Sequence, residues 1–396
     1  MLCELAALGR SVVLARMLGA EELGKVMILA LALRLAEMAC DVSIERLLIQ
    51  APDGDAPGFL SAMQGAVLIR GLALAGILLL MAMPMAVGFT DGPDALSVAA
   101  LALVALLRGF VSLDYRRRER EFDYRGLLVV EGGAAAAMLA AAPVAAAFVG
   151  DHRAFVPVVL VHAFAQLALS HAVSRVQWQI RIDRAILARV MSFGAPLLAN
   201  AVLLFLIFHG DRLIIAGFFD WADLGRYAVA LQLALLPALI AGRAAGSLLA
   251  PALRRASAVG AFDKVAADAD RLYLVLSAVF LVGFVTLANP AITLVYGPDF
   301  AIGLDLAVAL GAIAAIRISR TPLSQQAIAL GHTNLPARAN VLRVAAVPVA
   351  LLLAWAGAPL AAIAMTGAAG EVLAAWRATQ LLRALRPDPV NPGVPA

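Results

Sequence analysis

Charge is scarce in this chain, and lysine is nearly missing from it. Asp, Glu, Lys and Arg make up 15% of the 396 residues, against about 25% in soluble domains, which excludes an ordinary water-soluble globular fold. Of 31 basic residues only Lys25 and Lys264 are lysines. The rest are arginines, a bias of the kind GC-rich coding produces, so the net charge of +4 gives no signal for nucleic acid, and no nucleic-acid partner is expected. The two cysteines, Cys3 and Cys40, lie in apolar stretches, which excludes a disulfide framework. HExxH, GxSxG, P-loop and CxxC patterns are missing. His162 and His171 share one apolar segment but stand on opposite helix faces, so they predict no shared metal site. No metal, cofactor or catalytic residue is therefore expected. A cleavable leader is not read either; the first apolar segment reads as a span.

What fills the chain instead is apolar sequence, 63% of it, with a mean hydropathy of +0.91. A bilayer is crossed by about 20 such residues. Breaks at polar, Gly and Pro residues predict twelve helices, at 2–18, 23–42, 60–87, 94–113, 127–149, 154–174, 192–211, 225–247, 272–296, 302–318, 340–357 and 359–380. The first is the least apolar, with Glu4 and Arg10 inside it. The expected fold is an all-α polytopic membrane protein with two six-helix lobes, 1–174 and 192–380. A cytoplasmic linker, 175–191, joins the lobes and a cytoplasmic tail, 381–396, follows them.

Arginine sets the orientation, because short cytoplasmic loops retain basic residues. Arg116, Arg117, Arg118, Arg120 and Arg125 crowd one loop; Arg175, Arg181, Arg184 and Arg189 the next on that side; Arg254, Arg255, Lys264 and Arg271 a third. Arg46, Arg317, Arg320, Arg338, Arg377, Arg383 and Arg386 fall on the same side. The opposite loops hold Arg153, Arg212 and Arg226 among Asp91, Asp151, Asp220 and Asp299. Both termini are thus expected in the cytoplasm.

One polar phrase occurs twice. "ARMLGAEELGKV" begins at Ala15, and "AGFFDWADLGRYAV" begins at Ala216. Aligned on those alanines, Glu22 matches Asp223, Leu23 matches Leu224, Gly24 matches Gly225 and Lys25 matches Arg226. An acid at a helix start favours the positive end of its dipole, and the glycine permits close approach to a neighbouring helix. Locally this is a tight turn. Its recurrence predicts an internal duplication, and an even number of spans per copy makes the copies parallel, related by an axis along the membrane normal.

At these residues the chain resembles the bacterial polysaccharide flippases of the multidrug/oligosaccharidyl-lipid/polysaccharide exporter superfamily. Members typically carry an "ARxLGPEEFG" phrase, here "ARMLGAEELG", usually behind a longer N-terminus than this one. They often show "fglPlll" at the seventh helix, here "SFGAPLLAN" from Ser192, and an Asp-Arg or Asp-Lys pair followed by "LGxYal", here "GDRLIIAGFFDWADLGRYAV" from Gly210. A "lyGpeF" turn stands as "VYGPDFA" from Val295. The resemblance implies a two-lobed translocase that flips undecaprenyl-diphosphate-linked oligosaccharide for surface polysaccharide such as O-antigen, capsule or exopolysaccharide. It implies membrane lipids and the pathway's polymerase and glycosyltransferases as partners.

Charges inside spans are costly and normally face the protein interior. Arg34 lies about 16 Å along its helix at 1.5 Å per residue, near the midplane, and Arg70 lies at similar depth. Glu37 and Asp41 follow Arg34 on one face. Arg108 and Arg243 sit nearer the cytoplasm, and Glu371 is near the midplane. A cationic cavity of Arg34, Arg70, Arg108 and Arg243 suits a diphosphate, because guanidinium binds phosphate oxygens through two parallel N–H groups. Glu37 and Glu371 are read as coupling acids or ion-pair partners. The structural alternative pairs Arg34 with Glu37 and lets Arg108, Arg243 and Arg317 snorkel to the interface. Gly242 and Gly246 read as a packing GxxxG. A cation-coupled multidrug exporter of the same superfamily would use the acids, and the arginines disfavour cationic drugs. A membrane glycosyltransferase or polymerase usually has a large outer loop, which this chain lacks.

Overall fold

The computed structural model describes residues 2–56 and 58–385, with side chains left out at a few positions of the first helix and within 196–203; the tail beyond 385, with Arg386, lies outside the described residues. Every regular element among them is helical. The chain divides into two compact units, Met1–Phe205 with Asp220–Gly225, and Leu206–Phe219 with Arg226–Ala396.

The N-terminal unit begins with α1 (Leu2–Ala39), which is broken at Gly19, where φ is 83° and ψ 177°. An L side chain rarely adopts that conformation, and no atom stands where a Cβ would project. α2 (Ile44–Gln50) is a short amphipathic helix that buries Ile44, Leu47 and Leu48 against Phe59 and Met63 of α3 (Phe59–Gly88). α4 (Ala95–Gly109) is capped by Asp94, whose carboxylate accepts from the Ser97 amide. α5 (Asp114–Arg117) and α6 (Arg125–Leu127) bracket the arginine loop. A π-turn leads into α7 (Gly133–Val149), which packs on α8 (Phe155–Ala172) and α1. α3 and α4 cross with almost no space between them. A Cβ on Gly71 would lie 2.8 Å from the Cα of Gly109, and each glycine directly follows an arginine, Arg70 or Arg108. Small residues at the crossing thus bring two guanidiniums to one place.

The duplicated phrase packs on itself. A Cβ on Gly24 would lie 2.0 Å from the carbonyl oxygen of Trp221, and a Cβ on Gly225 2.1 Å from that of Ala20. Each glycine meets the carbonyl four residues ahead of the other. Close approach is what the sequence predicts for these glycines, and here the partner of each copy is the other copy.

α9 (Arg184–Phe218) and α10 (Trp221–Ala244) continue the chain. α9 runs past the expected 192–211 at both ends, so Arg212, expected in a loop, lies within the helix, and Asp211 is no longer its last residue. Nothing at either expected boundary breaks a helix, and a charge alone is not a stop signal. Gly194 of the "SFGAPLLAN" phrase is pressed against Val42, whose Cα would lie 2.6 Å from an added Cβ. Beyond a second π-turn at Ala245–Leu249 come α11 (Ala250–Ala258), α12 (Phe262–Tyr296), α13 (Leu304–Ser319), α14 (Thr321–Ala329), α15 (Leu335–Asn340), α16 (Ala346–Trp355) and α17 (Leu360–Leu385). In the C-terminal unit α13 packs on α12 and α17, and α16 on α17. Gly242 and Gly246, expected to be a packing pair, face open space; the π-turn that includes Gly246 interrupts the regular face such a motif needs.

Seven helices among the described residues are long and apolar enough to cross a membrane, or eight if the bent pair Ala95–Gly109 and Asp114–Glu121 counts as one span. The protein is a multi-pass membrane protein.

Candidate functional site

Three of the four arginines predicted for a cationic cavity meet in the N-terminal unit. Arg34, Arg70 and Arg108 line a cavity of 420 Å³ together with Glu37, Asp41, Glu45 and Arg116. A neighbouring cavity of 430 Å³ shares Asp41, Glu45, Arg70, Arg108 and Arg116, and adds Arg46, Glu131, His162 and Gln166. The shared walls make one chamber, of a size that suits a small-molecule headgroup.

Most arginines in the chamber already hold an acid. Arg70 donates to both oxygens of Glu45, at 3.1 and 2.8 Å, the planar two-point geometry that guanidinium favours. Arg108 donates to Glu37 Oε1. Arg34 stands 3.5 Å from Glu37 Oε2 with 59% of its side chain exposed, and Arg46 is exposed as well. Arg116 donates to Glu131 at 2.7 Å, and Glu131 also accepts from Tyr115 at 3.1 Å and Gln166 at 3.3 Å. Burial raises the Tyr115 phenol well above its ordinary value, and the Glu131 carboxylate adds to that. Five arginines face four carboxylates.

The loop "DYRRRERE" also holds neighbouring backbone in place. Arg120 donates through Nη1 to the carbonyls of Leu48, Ile49 and Ala51, at 3.1, 3.0 and 2.7 Å, and so caps the C-terminal end of α2, the negative end of its dipole. Arg118 donates to the carbonyl of Val173 at 3.0 Å. These bonds fix α2, and α2 carries Glu45.

Arg243 and Glu371 belong to the C-terminal unit. Arg243 is exposed on α10 and does not line the cavities described here. Glu371 is completely buried and is an ion-pair acid: Arg317 reaches it at 2.6 Å, Arg320 at 2.8 Å and Arg343 at 2.8 Å. Snorkelling therefore describes neither Arg108 nor Arg317; both fold back onto acids. Among the described residues there is no cluster of metal-binding side chains.

Glu45, Arg116, Glu131 and Arg343 were missed by sequence reasoning. Glu45 and Arg116 looked like loop charges, and Glu131 stands near the end of a span where an acid draws no notice. The signal for Glu45 was the apolar spacing of "IERLLIQ", an amphipathic turn inside a supposed loop.

Residues 13–305 match the family described as polysaccharide biosynthesis protein. The chain belongs to that family. This family member also shares its fold with solved structures. A lipid II flippase, MurJ, in its inward closed conformation is 13% identical over 96% of this chain and 86% of that chain, with a TM-score of 0.75. An inward-facing multidrug resistance MATE family transporter of the MOP superfamily is 15% identical over 97% of this chain and 95% of its own, at 0.66. A MOP superfamily transporter from Pyrococcus furiosus, described as having a binding pocket of reverse polarity, is 14% identical over 97% and 93%, at 0.52. At such identities the likeness is one of fold. No curated protein matches the sequence.

Proposed function

We propose that the protein flips undecaprenyl-diphosphate-linked oligosaccharide from the inner to the outer leaflet of a bacterial inner membrane during surface polysaccharide synthesis. The convergence of Arg34, Arg70 and Arg108 on one chamber carries this reading. Family membership and the flippase-like fold support it. The diphosphate enters from the cytoplasmic leaflet, meets Arg34 first, and then takes the guanidiniums of Arg70 and Arg108 from Glu45 and Glu37. Arginine stays protonated throughout, so the anion crosses a low-dielectric region in company with fixed positive charge. In this reading twelve spans form two parallel six-helix lobes, 1–174 and 192–380, joined by the linker 175–191 and followed by the tail 381–396. Both termini are cytoplasmic, and alternating access comes from rocking of the lobes. The pathway's polymerase and glycosyltransferases act on either side of it.

A cation-coupled drug exporter of the same superfamily would present free acids to a cationic drug. Glu37 and Glu45 are instead held by Arg108 and Arg70, which favours an anionic cargo. The deciding experiment reconstitutes the purified protein in liposomes with a fluorescent prenyl-diphosphate oligosaccharide and compares a neutral glycolipid and a cationic dye. Selective flipping of the diphosphate lipid, strongly reduced in Arg70→Gln and partly kept in Arg70→Lys, is expected. Undiminished flipping by Arg70→Gln, or preference for the dye, refutes the proposal.

A further inference from the structure

The C-terminal unit buries a group of charges that the flipping of a lipid diphosphate does not use. Glu371 is fully buried, and three arginines from different elements close on it: Arg317 of α13, Arg320 just beyond it, and Arg343 between α15 and α16. The Arg343 side chain is 8% exposed and that of Arg320 13%. Three guanidiniums and one carboxylate leave an excess of two positive charges, and excess buried charge is stable only with a counter-ion. Arg343 Nη1 is buried and has no hydrogen-bond partner among the described residues, a costly omission for a charged donor. Phe208 lies under both Arg317 and Arg343, at 5.8 and 5.0 Å from its ring centre, and holds the two guanidiniums in place.

These two arginines line a cavity of 70 Å³. A water occupies about 10–15 Å³ of such space, so the cavity admits one small ion with a few waters and excludes a glycosylated diphosphate. Across it stands Asp211, whose oxygens are already engaged, one by the Tyr227 hydroxyl at 2.5 Å and the other by the Arg212 amide at 2.9 Å. Asp211 removes one of the two excess charges and leaves the other.

We infer that this cavity holds one small inorganic anion of halide size between Arg343 and Arg317. The anion lies against the two guanidiniums and cancels the residual charge. It thereby ties α13, the segment before α16, and α17 together. It is a resident counter-ion of the C-terminal unit and not cargo.

The test uses the full-length protein in detergent, with sodium chloride and sodium gluconate compared at equal ionic strength. Gluconate is too large for the cavity. A melting temperature about 3 °C higher in chloride is expected for an occupied site, with the difference lost in Arg343→Gln. Because that variant can fail to fold for its own reasons, the unaltered protein is also crystallised from sodium bromide. An anomalous scattering peak beside Arg343 and Arg317 supports the site. Equal stability in the two salts, or bromide found only on the surface, overturns it. Diphosphate-lipid flipping is assayed separately, so either outcome leaves the reading of the N-terminal chamber where it stands.

Discussion

Arg34→Gln separates a cargo contact from a structural ion pair, and the geometry fixes the size of each effect. Arg34 lies 3.5 Å from Glu37, on the same helix, with 59% of its side chain exposed. Exposed pairs of this kind contribute about 0.2–1 kcal/mol, and this one is long, so the substitution should cost less than about 0.5 kcal/mol of stability. Glu37 does not lose its main partner, because Arg108 still donates to it. A hydrogen bond to a charged group contributes about 1.5–3 kcal/mol. If the diphosphate binds Arg34, transport should therefore fall about 10- to 100-fold at 1.4 kcal/mol per decade. Glu37→Gln should show the opposite pattern: it strips Arg108, whose side chain is 30% exposed, of its carboxylate, and so lowers abundance more than intrinsic transport. The assay pairs polysaccharide export in cells with membrane abundance and detergent melting temperature for Arg34→Gln, Glu37→Gln and the double variant. Normal export by Arg34→Gln refutes the cargo contact. Loss of abundance in Arg34→Gln that is restored by adding Glu37→Gln would falsify the assignment in favour of a structural pair.

Three further outcomes are expected. Gly24→Ala and Gly225→Ala should each cost about 1–3 kcal/mol from overpacking, and the double variant less than their sum, because one displacement relieves both clashes; additive melting shifts would contradict the reciprocal contact. Burial would raise the Glu22 carboxyl, but donors on Lys25 and His152 outweigh it and hold it at about 2 against an ordinary 4.5. A group depressed in the folded state stabilises above its unfolded value, so melting temperature should hold above pH 4.5 and decline as pH falls toward 2, with a smaller decline in Glu22→Gln; identical profiles would dismiss this contribution. In a cysteine-free background, a cysteine at Phe122, which is 82% exposed, should react with an impermeant reagent only from the cytoplasm and one at Asp299 only from outside. Reaction of both from one side would overturn the orientation.

Long apolar stretches were legible because bilayer length is written directly in composition. The predicted 60–87 is α3, Phe59–Gly88, and 359–380, but for its first residue, lies in α17, Leu360–Leu385. The ends of α9 were not legible, since its first turns are polar and helical at once. For the chamber, Arg34, Glu37, Arg70 and Arg108 could be found because a charge in an apolar run stands out. Their partners could not. Glu45 pairs with Arg70 from 25 residues away, and Arg317 with Glu371 from 54 away. Such pairings are set by how helices cross, which no local pattern records. Gly71 and Gly109 determine that crossing, yet in a chain with 31 glycines nothing marks those two.

The acid that α13 and the approach to α16 share is synthesised after both. Arg317 emerges from the ribosome 54 residues ahead of Glu371, and Arg320 and Arg343 also precede it. Charged side chains in a membrane protein normally face its interior and pair there, so these arginines lack their acid until α17 is made. The pairing of this cluster therefore waits on α17 and its carboxylate. A helix made late supplies the acid on which two segments made earlier close.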